Sequence, residues 1–119
     1  MTTGVRFKAL SQATRNPAVQ FCLEAWQDEY NKGRAEDKSE YSASQDAHLA
    51  YREAMPDLVS FADIRDFIAC VGRGILLKAI DQDEAARLLA AARIASQAFA
   101  SSEKAILKAV KQSQAGYAA

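Results

Sequence analysis

Between Phe61 and Leu76 the chain carries apolar residues at helical spacing. Phe61, Ile64, Phe67, Ile68, Val71, Ile75 and Leu76 recur three, four and seven positions apart, while Arg65, Asp66, Arg73 and Lys78 fall mostly elsewhere. A helix so patterned cannot stand alone in water, because its apolar side must be covered by other elements. Ser60-Phe-Ala-Asp63 in front of it supplies a capping signal. Within it, "FIACVGRGIL" places Cys70, Gly72 and Gly74. Each glycine costs about 1 kcal/mol against alanine in a helix interior. That cost has a purpose if another helix or chain lies close against Gly72, with Gly74 marking a kink, so a packing seam is expected at Gly72.

The remaining punctuation is also helical. Asn16-Pro17 reads as an N-cap followed by proline at the first helical position, and Val19, Leu23, Trp26 and Tyr30 recur behind it as far as Gly33. This gives a first helix over about 17–32. Asp37-Lys-Ser-Glu40 reads as the next cap, and Pro56 closes a second helix over about 38–54. The third helix is expected to reach Ile80. Asp81-Gln-Asp-Glu84 then starts a fourth helix at once, which makes the third and fourth a hairpin or corner. From Gln82 to Gln112 a heptad-like register of Ala85, Leu88, Ala92, Ala95, Phe99, Ile106 and Ala109 is interrupted at Ser102. Either one helix runs through or Ser101-Ser102 caps a fifth, and a break or kink is the expectation. Abundant alanine with two prolines and five glycines in 119 residues agrees. The expected fold is all-α: a bundle of four or five helices around the antiparallel hairpin of helices three and four, with helix one packed on it. Residues 1–15 read as an N-terminal arm, 16–113 as a single helical domain and 114–119 as a frayed tail.

The chemistry-bearing residues do not converge. Cys22 and Cys70 could pair, but each falls on an apolar helix side, and with a cytoplasmic assignment they read as buried thiols; lacking CxxC spacing, they form neither a zinc site nor a redox motif. His48 is the one histidine and is read as a surface or boundary residue. No Glu-x-x-His, GxxxxGK[ST], GxGxxG after a strand or GxSxG occurs. No catalytic residue, cofactor or metal ligand is assigned, and the chain is read as a non-enzyme. No apolar run approaches the roughly 18 residues of a membrane span. The start Met1-Thr-Thr-Gly-Val-Arg lacks a signal-peptide core, so a cytoplasmic protein is expected.

Fifteen basic and fifteen acidic residues cancel, but unevenly. Arg6, Lys8 and Arg15 stand in a first segment without acids. Glu24, Asp28, Glu29, Glu36, Asp37, Glu40, Asp46, Glu53 and Asp57 dominate the middle, and Lys104, Lys108 and Lys111 the tail. The basic termini are the candidate nucleic-acid contacts. "KAIDQDEAARLLAAARIASQAF" has the opening of a helix-turn-helix, yet "AAARIAS" is too helix-favouring for the turn, and Arg87 and Arg93 are thin base readers. The alternative register, turning at 80–83, would use an overly long, apolar third helix as brace.

"AYREAMPDL…IRDFIACVGRGIL…ARLLAAARIASQA", over residues 49–98, resembles a family of small bacterial proteins with no assigned activity. The resemblance implies no catalytic or binding residue and hints at mobile or phage-derived DNA. What remains is a protein–protein interaction module, with a homodimer among its candidate assemblies, Trp26, Tyr30, Tyr51, Gly72 and Phe99 as candidate interface residues and Tyr41 as a further aromatic anchor. A small DNA-associated regulator and a phage-type inhibitor of a host protein are the alternatives.

Overall fold

A computed structural model describes residues 16–118 as four α-helices: α1, Pro17–Ala35; α2, Glu40–Glu53; α3, Phe61–Leu76; α4, Gln82–Ala118. The all-α expectation holds. The N-terminal arm, with Arg6, Lys8 and Arg15, lies outside the described residues.

The helix starts follow local chemistry. Asn16 Oδ1 accepts from the amides of Ala18 and Val19, with Pro17 at the first helical position. Ser60 Oγ accepts from Asp63 N at 3.0 Å, and Asp81 Oδ1 from Glu84 N at 2.7 Å. The cap of α2 is Ser39, which accepts from Ser42 N, and not Asp37. Asp37 is otherwise engaged: at φ 62° it is the left-handed residue that ends α1.

Two helix ends share one geometry that was not foreseen. Helix α1 passes through Gly33 to Ala35, and α3 stops at Leu76, four residues before Ile80. After α1, Lys38 N donates to Gly33 O and Asp37 N to Arg34 O. After α3, Ala79 N donates to Gly74 O and Lys78 N to Ile75 O, with Lys78 at φ 64°. Both are Schellman closures. In each the left-handed position holds a residue with a side chain, while glycine stands earlier, where the returning chain presses on the helix. A Cβ on Gly33 would lie 3.0 Å from Ala43 Cβ, and one on Gly74 would lie 2.6 Å from Ile80 Cδ1 and 3.0 Å from Tyr51 Cε1.

The seam on α3 therefore runs through Gly74, and the expectation at Gly72 is corrected. A Cβ on Gly72 would meet nothing within 4 Å. The apolar stripe of α3 is broad enough to offer two sides, and the fold buries only one. Ile64, Phe67, Cys70, Val71 and Gly74 face inward. Ile68, Gly72, Ile75 and Leu76 are exposed.

Short connections make two helical hairpins. Helix α1 packs chiefly on α2 and only secondarily on α3, while α3 packs on α4. This corrects the expectation that helix one rests mainly on the α3–α4 pair; the brief turn at 36–39 brings α2 to it first. Trp26, Tyr51, Val71, Cys22, Cys70 and Ile80 are the largest fully buried side chains between the hairpins. Arg52 ties α2 to the α3–α4 turn, donating to Ala79 O at 2.8 Å with Glu84 3.6 Å away.

Helix α4 is continuous over 37 residues, about 55 Å at 1.5 Å per residue, running on through residues expected to fray. The break expected at Ser101-Ser102 does not occur. Both serines are exposed, so no contact there asks the chain to turn. Two serines lower helix propensity by well under the roughly 3 kcal/mol of a proline.

Candidate functional site

Two features merit a functional reading: a polar seam buried between the hairpins, and the half of α4 that leaves them.

The seam begins with Trp26 on α1, which has only 2% exposure. Its indole Nε1–H donates to His48 Nδ1 on α2 at 2.9 Å, and its ring stacks on Tyr30 at 5.1 Å between centroids. His48 is buried, which corrects its placement at a surface or boundary. Because Nδ1 accepts, the imidazole sits in the neutral form with its proton on Nε2. A buried indole N–H needs an acceptor, and the histidine supplies one where water is excluded.

Further along the seam, Cys22 of α1 and Cys70 of α3 are fully buried free thiols with their sulfurs 3.8 Å apart. The Cys22 S–H donates to Cys70 Sγ. That bond, together with burial, pushes the Cys22 thiol far up, and the same bond draws Cys70 down. Tyr51 of α2 is buried beside them and donates its hydroxyl to Cys70 O at 2.6 Å; burial pushes its phenol well above the ordinary range. Asn16, besides capping α1, donates through Nδ2 to Asp66 Oδ1 at 3.1 Å and so fixes the start of α1 to α3. Among the described residues no three His, Cys, Asp or Glu side chains come together as a metal site. Nor is any helix there long and apolar enough to cross a membrane.

The seam is thus structural in character: its polar groups satisfy one another, with no buried side-chain nitrogen or oxygen left unpaired among the described residues. The candidate interface aromatics sort accordingly. Trp26 and Tyr51 belong to the core, and Tyr30 is half-buried on Trp26. Phe99 is half-buried with its ring 5.8 Å from that of Phe61. Tyr41 alone among these aromatics stands open, at 75% exposure.

The second feature starts where Phe99 touches Phe61. Toward the core α4 buries Ala85 and Ala92 and packs Leu88, Ala95 and Phe99 against the cluster. Past Phe99 every side chain through residue 114 is exposed. On a helix of about 100° per residue, Ile106 and Val110 lie within about 20° of the line of Phe99. The side that packs on the body therefore continues beyond it with nothing on it. Ile106 and Leu107 are 61% and 56% exposed. Lys104, Lys108 and Lys111, the candidate phosphate contacts, share one side of the same helix, opposite that line.

Sequence reasoning assigned Ile68, Ile75 and Leu76 to the core, and so missed the exposed apolar side of α3 around Gly72. The available signal was the line Ile64–Phe67–Val71–Gly74, spaced three, four and three, which competes with Ile68–Gly72–Ile75 on the same helix. Comparison with family models, curated proteins and solved structures finds no match for the chain.

Proposed function

We propose that the chain is a non-catalytic protein–protein interaction module that self-associates through the projecting half of α4. The observation that carries this reading is the uncovered apolar line of Ile106 and Val110, with Leu107 beside it, continuing the seam of Phe99 beyond the body. Exposed apolar residues in a line gain free energy only when a partner covers them. A second copy suits the line on grounds of charge. Lys104, Lys108 and Lys111 stand on the opposite side, so two such helices laid apolar side to apolar side keep their lysines in water, while Glu103, about 20° from Val110 around the helix, borders the seam.

Sedimentation velocity over a range of concentrations tests this reading. The expected mass approaches twice the 13.0 kDa of the chain. The double substitution Ile106→Glu and Val110→Glu should restore the single-chain mass while the body stays folded, with cooperative unfolding that no longer depends on protein concentration. A wild-type mass of one chain at every concentration sinks the proposal.

A second reading draws on the lysine side of α4. Three lysines within one helical surface suit phosphate contact, and a small DNA-associated regulator would use them together with the basic residues of the arm. Its signature is affinity for duplex DNA that falls steeply with salt.

A further inference from the structure

We propose that Cys22 and Cys70 are a disulfide-forming modification site, closed inside the folded protein by a small peroxide, which covalently joins the α1–α2 hairpin to the α3–α4 hairpin.

The placement is specific. The two thiols come from helices that pack only secondarily on one another, 48 residues apart in sequence, yet their sulfurs touch at 3.8 Å. Two neighbouring contacts hold the pair in register. Asn16 binds Asp66 at one end, and Tyr51 fastens the backbone of Cys70 itself through its carbonyl. A disulfide needs its sulfurs at about 2 Å, so closure brings the two sulfurs together by under 2 Å. Apolar packing alone asks only for small apolar side chains at these positions. A thiol–thiol hydrogen bond instead arranges one sulfur as donor and the other as acceptor.

That asymmetry bears on the order of attack. Cys70 accepts the hydrogen bond, which favours its thiolate, so the first attack is written from Cys70; the reverse order gives the same disulfide. Its thiolate attacks one oxygen of hydrogen peroxide. A sulfur–oxygen bond forms, the oxygen–oxygen bond breaks, and hydroxide leaves, taking up the proton released by Cys70. The Cys22 sulfur then attacks the resulting sulfenic sulfur. The sulfur–sulfur bond forms, the sulfur–oxygen bond breaks, and water departs with the Cys22 proton. In sum two thiols and one peroxide give one disulfide and two waters, the sulfurs losing two electrons and the peroxide gaining them. Because the second thiol already touches the first, it reaches the sulfenic acid before a second peroxide does. Both sulfurs are closed to solvent, so reaction proceeds through a local opening of α1 from α3 that admits peroxide and is too brief for large thiol reagents.

The experiment exposes the full-length folded protein to hydrogen peroxide, removes excess with catalase, and denatures in N-ethylmaleimide without reductant. Intact mass is then measured. The expected product is a single chain about 2 Da lighter, the two hydrogens lost, with no maleimide attached. Cys22→Ser and Cys70→Ser should each abolish that species. The oxidised wild type should keep its helical circular dichroism and melt at a higher temperature, since the bridge closes a long loop without deforming the fold. Three results overturn the proposal. One is two maleimides still added after a peroxide dose that fully oxidises free cysteine. Another is oxygen added to separate sulfurs or disulfide-linked dimers. The third is a disulfide that forms only in denaturant or lowers the melting temperature. The wild-type readouts decide the matter even if a serine variant fails to fold.

Discussion

Two glycines two positions apart on α3 should respond to alanine in opposite directions. Gly72 lies in the helix with its would-be Cβ in open space. Gly72→Ala therefore removes the backbone entropy cost of glycine and adds no clash, a gain of about 0.8–1 kcal/mol. Gly74 offers the same gain, but its Cβ would sit 2.6 Å from Ile80 Cδ1 and 3.0 Å from both Ile80 Cγ1 and Tyr51 Cε1. Neither neighbour has room to withdraw: Ile80 is 2% exposed, and the Tyr51 ring is anchored by its hydroxyl on Cys70 O. Overpacking of this kind costs about 1–3 kcal/mol, which outweighs the propensity gain at the middle of its range.

The two variants should thus differ by about 2 kcal/mol, with Gly72→Ala above wild type and Gly74→Ala below it. For a body of this size each kcal/mol moves the melting temperature by about 4–8 °C. Urea unfolding followed by circular dichroism measures the difference, and equal slopes in all three proteins would show that the same surface is exposed. The measurements belong at one fixed protein concentration, since association would add its own stabilisation. If Gly72→Ala destabilises, or Gly74→Ala melts with the wild type, the assignment of the inward side of α3 is wrong.

The polar seam yields two more expectations. Trp26→Phe leaves His48 Nδ1 without its indole donor in a buried place, which should lower stability by about 1–3 kcal/mol; a change within about 0.5 kcal/mol in the same unfolding assay would deny the bond its role. Tyr51 concerns alkaline pH. Burial holds its phenol protonated in the folded chain well above the ordinary range, whereas an unfolded tyrosine ionises near pH 10. Above about pH 10 the folded state therefore binds more protons than the unfolded one, and this contribution to stability is lost as pH rises, at up to about 1.4 kcal/mol per unit. Stability measured from pH 9 to 12 should fall less steeply in Tyr51→Phe, and parallel profiles would contradict the buried, protonated phenol.

The helix starts were legible because a cap is a local transaction. Asn16, Ser60 and Asp81 each bind amides two or three residues ahead, so neighbouring sequence contains the whole interaction. The helix ends were not. A glycine near the end of a helix is ordinarily the left-handed residue, yet here Asp37 and Lys78 take that conformation. Gly33 and Gly74 serve instead to admit Ala43 and Ile80, which lie ten and six residues onward. His48 escaped for a similar reason. Its neighbours Ala47 and Leu49 are one buried and one exposed, and what decides its burial is Trp26, 22 residues away. The cysteines were read correctly as buried thiols, but their contact across the two hairpins depends on the α1–α3 crossing, which no spacing in the chain encodes.

Helix α4 joins these observations, because its two halves are stable for different reasons. The half up to Phe99 is alanine-rich where it meets the body, which lets helices approach closely but buries little apolar area per residue. The half beyond Phe99 has no body beneath it. It persists because the packed half has already supplied the costly nucleus, so each further residue needs only the small cost of propagation, and Ala105, Leu107 and Lys108 are good propagators. Propagation does not explain Ile106 and Val110, however. Lysine or glutamine would extend the helix as well and would be better solvated than β-branched side chains in water. Their position on the line of Phe99 fits a seam that begins within one chain and is completed by another, with the lysines turned to the opposite side.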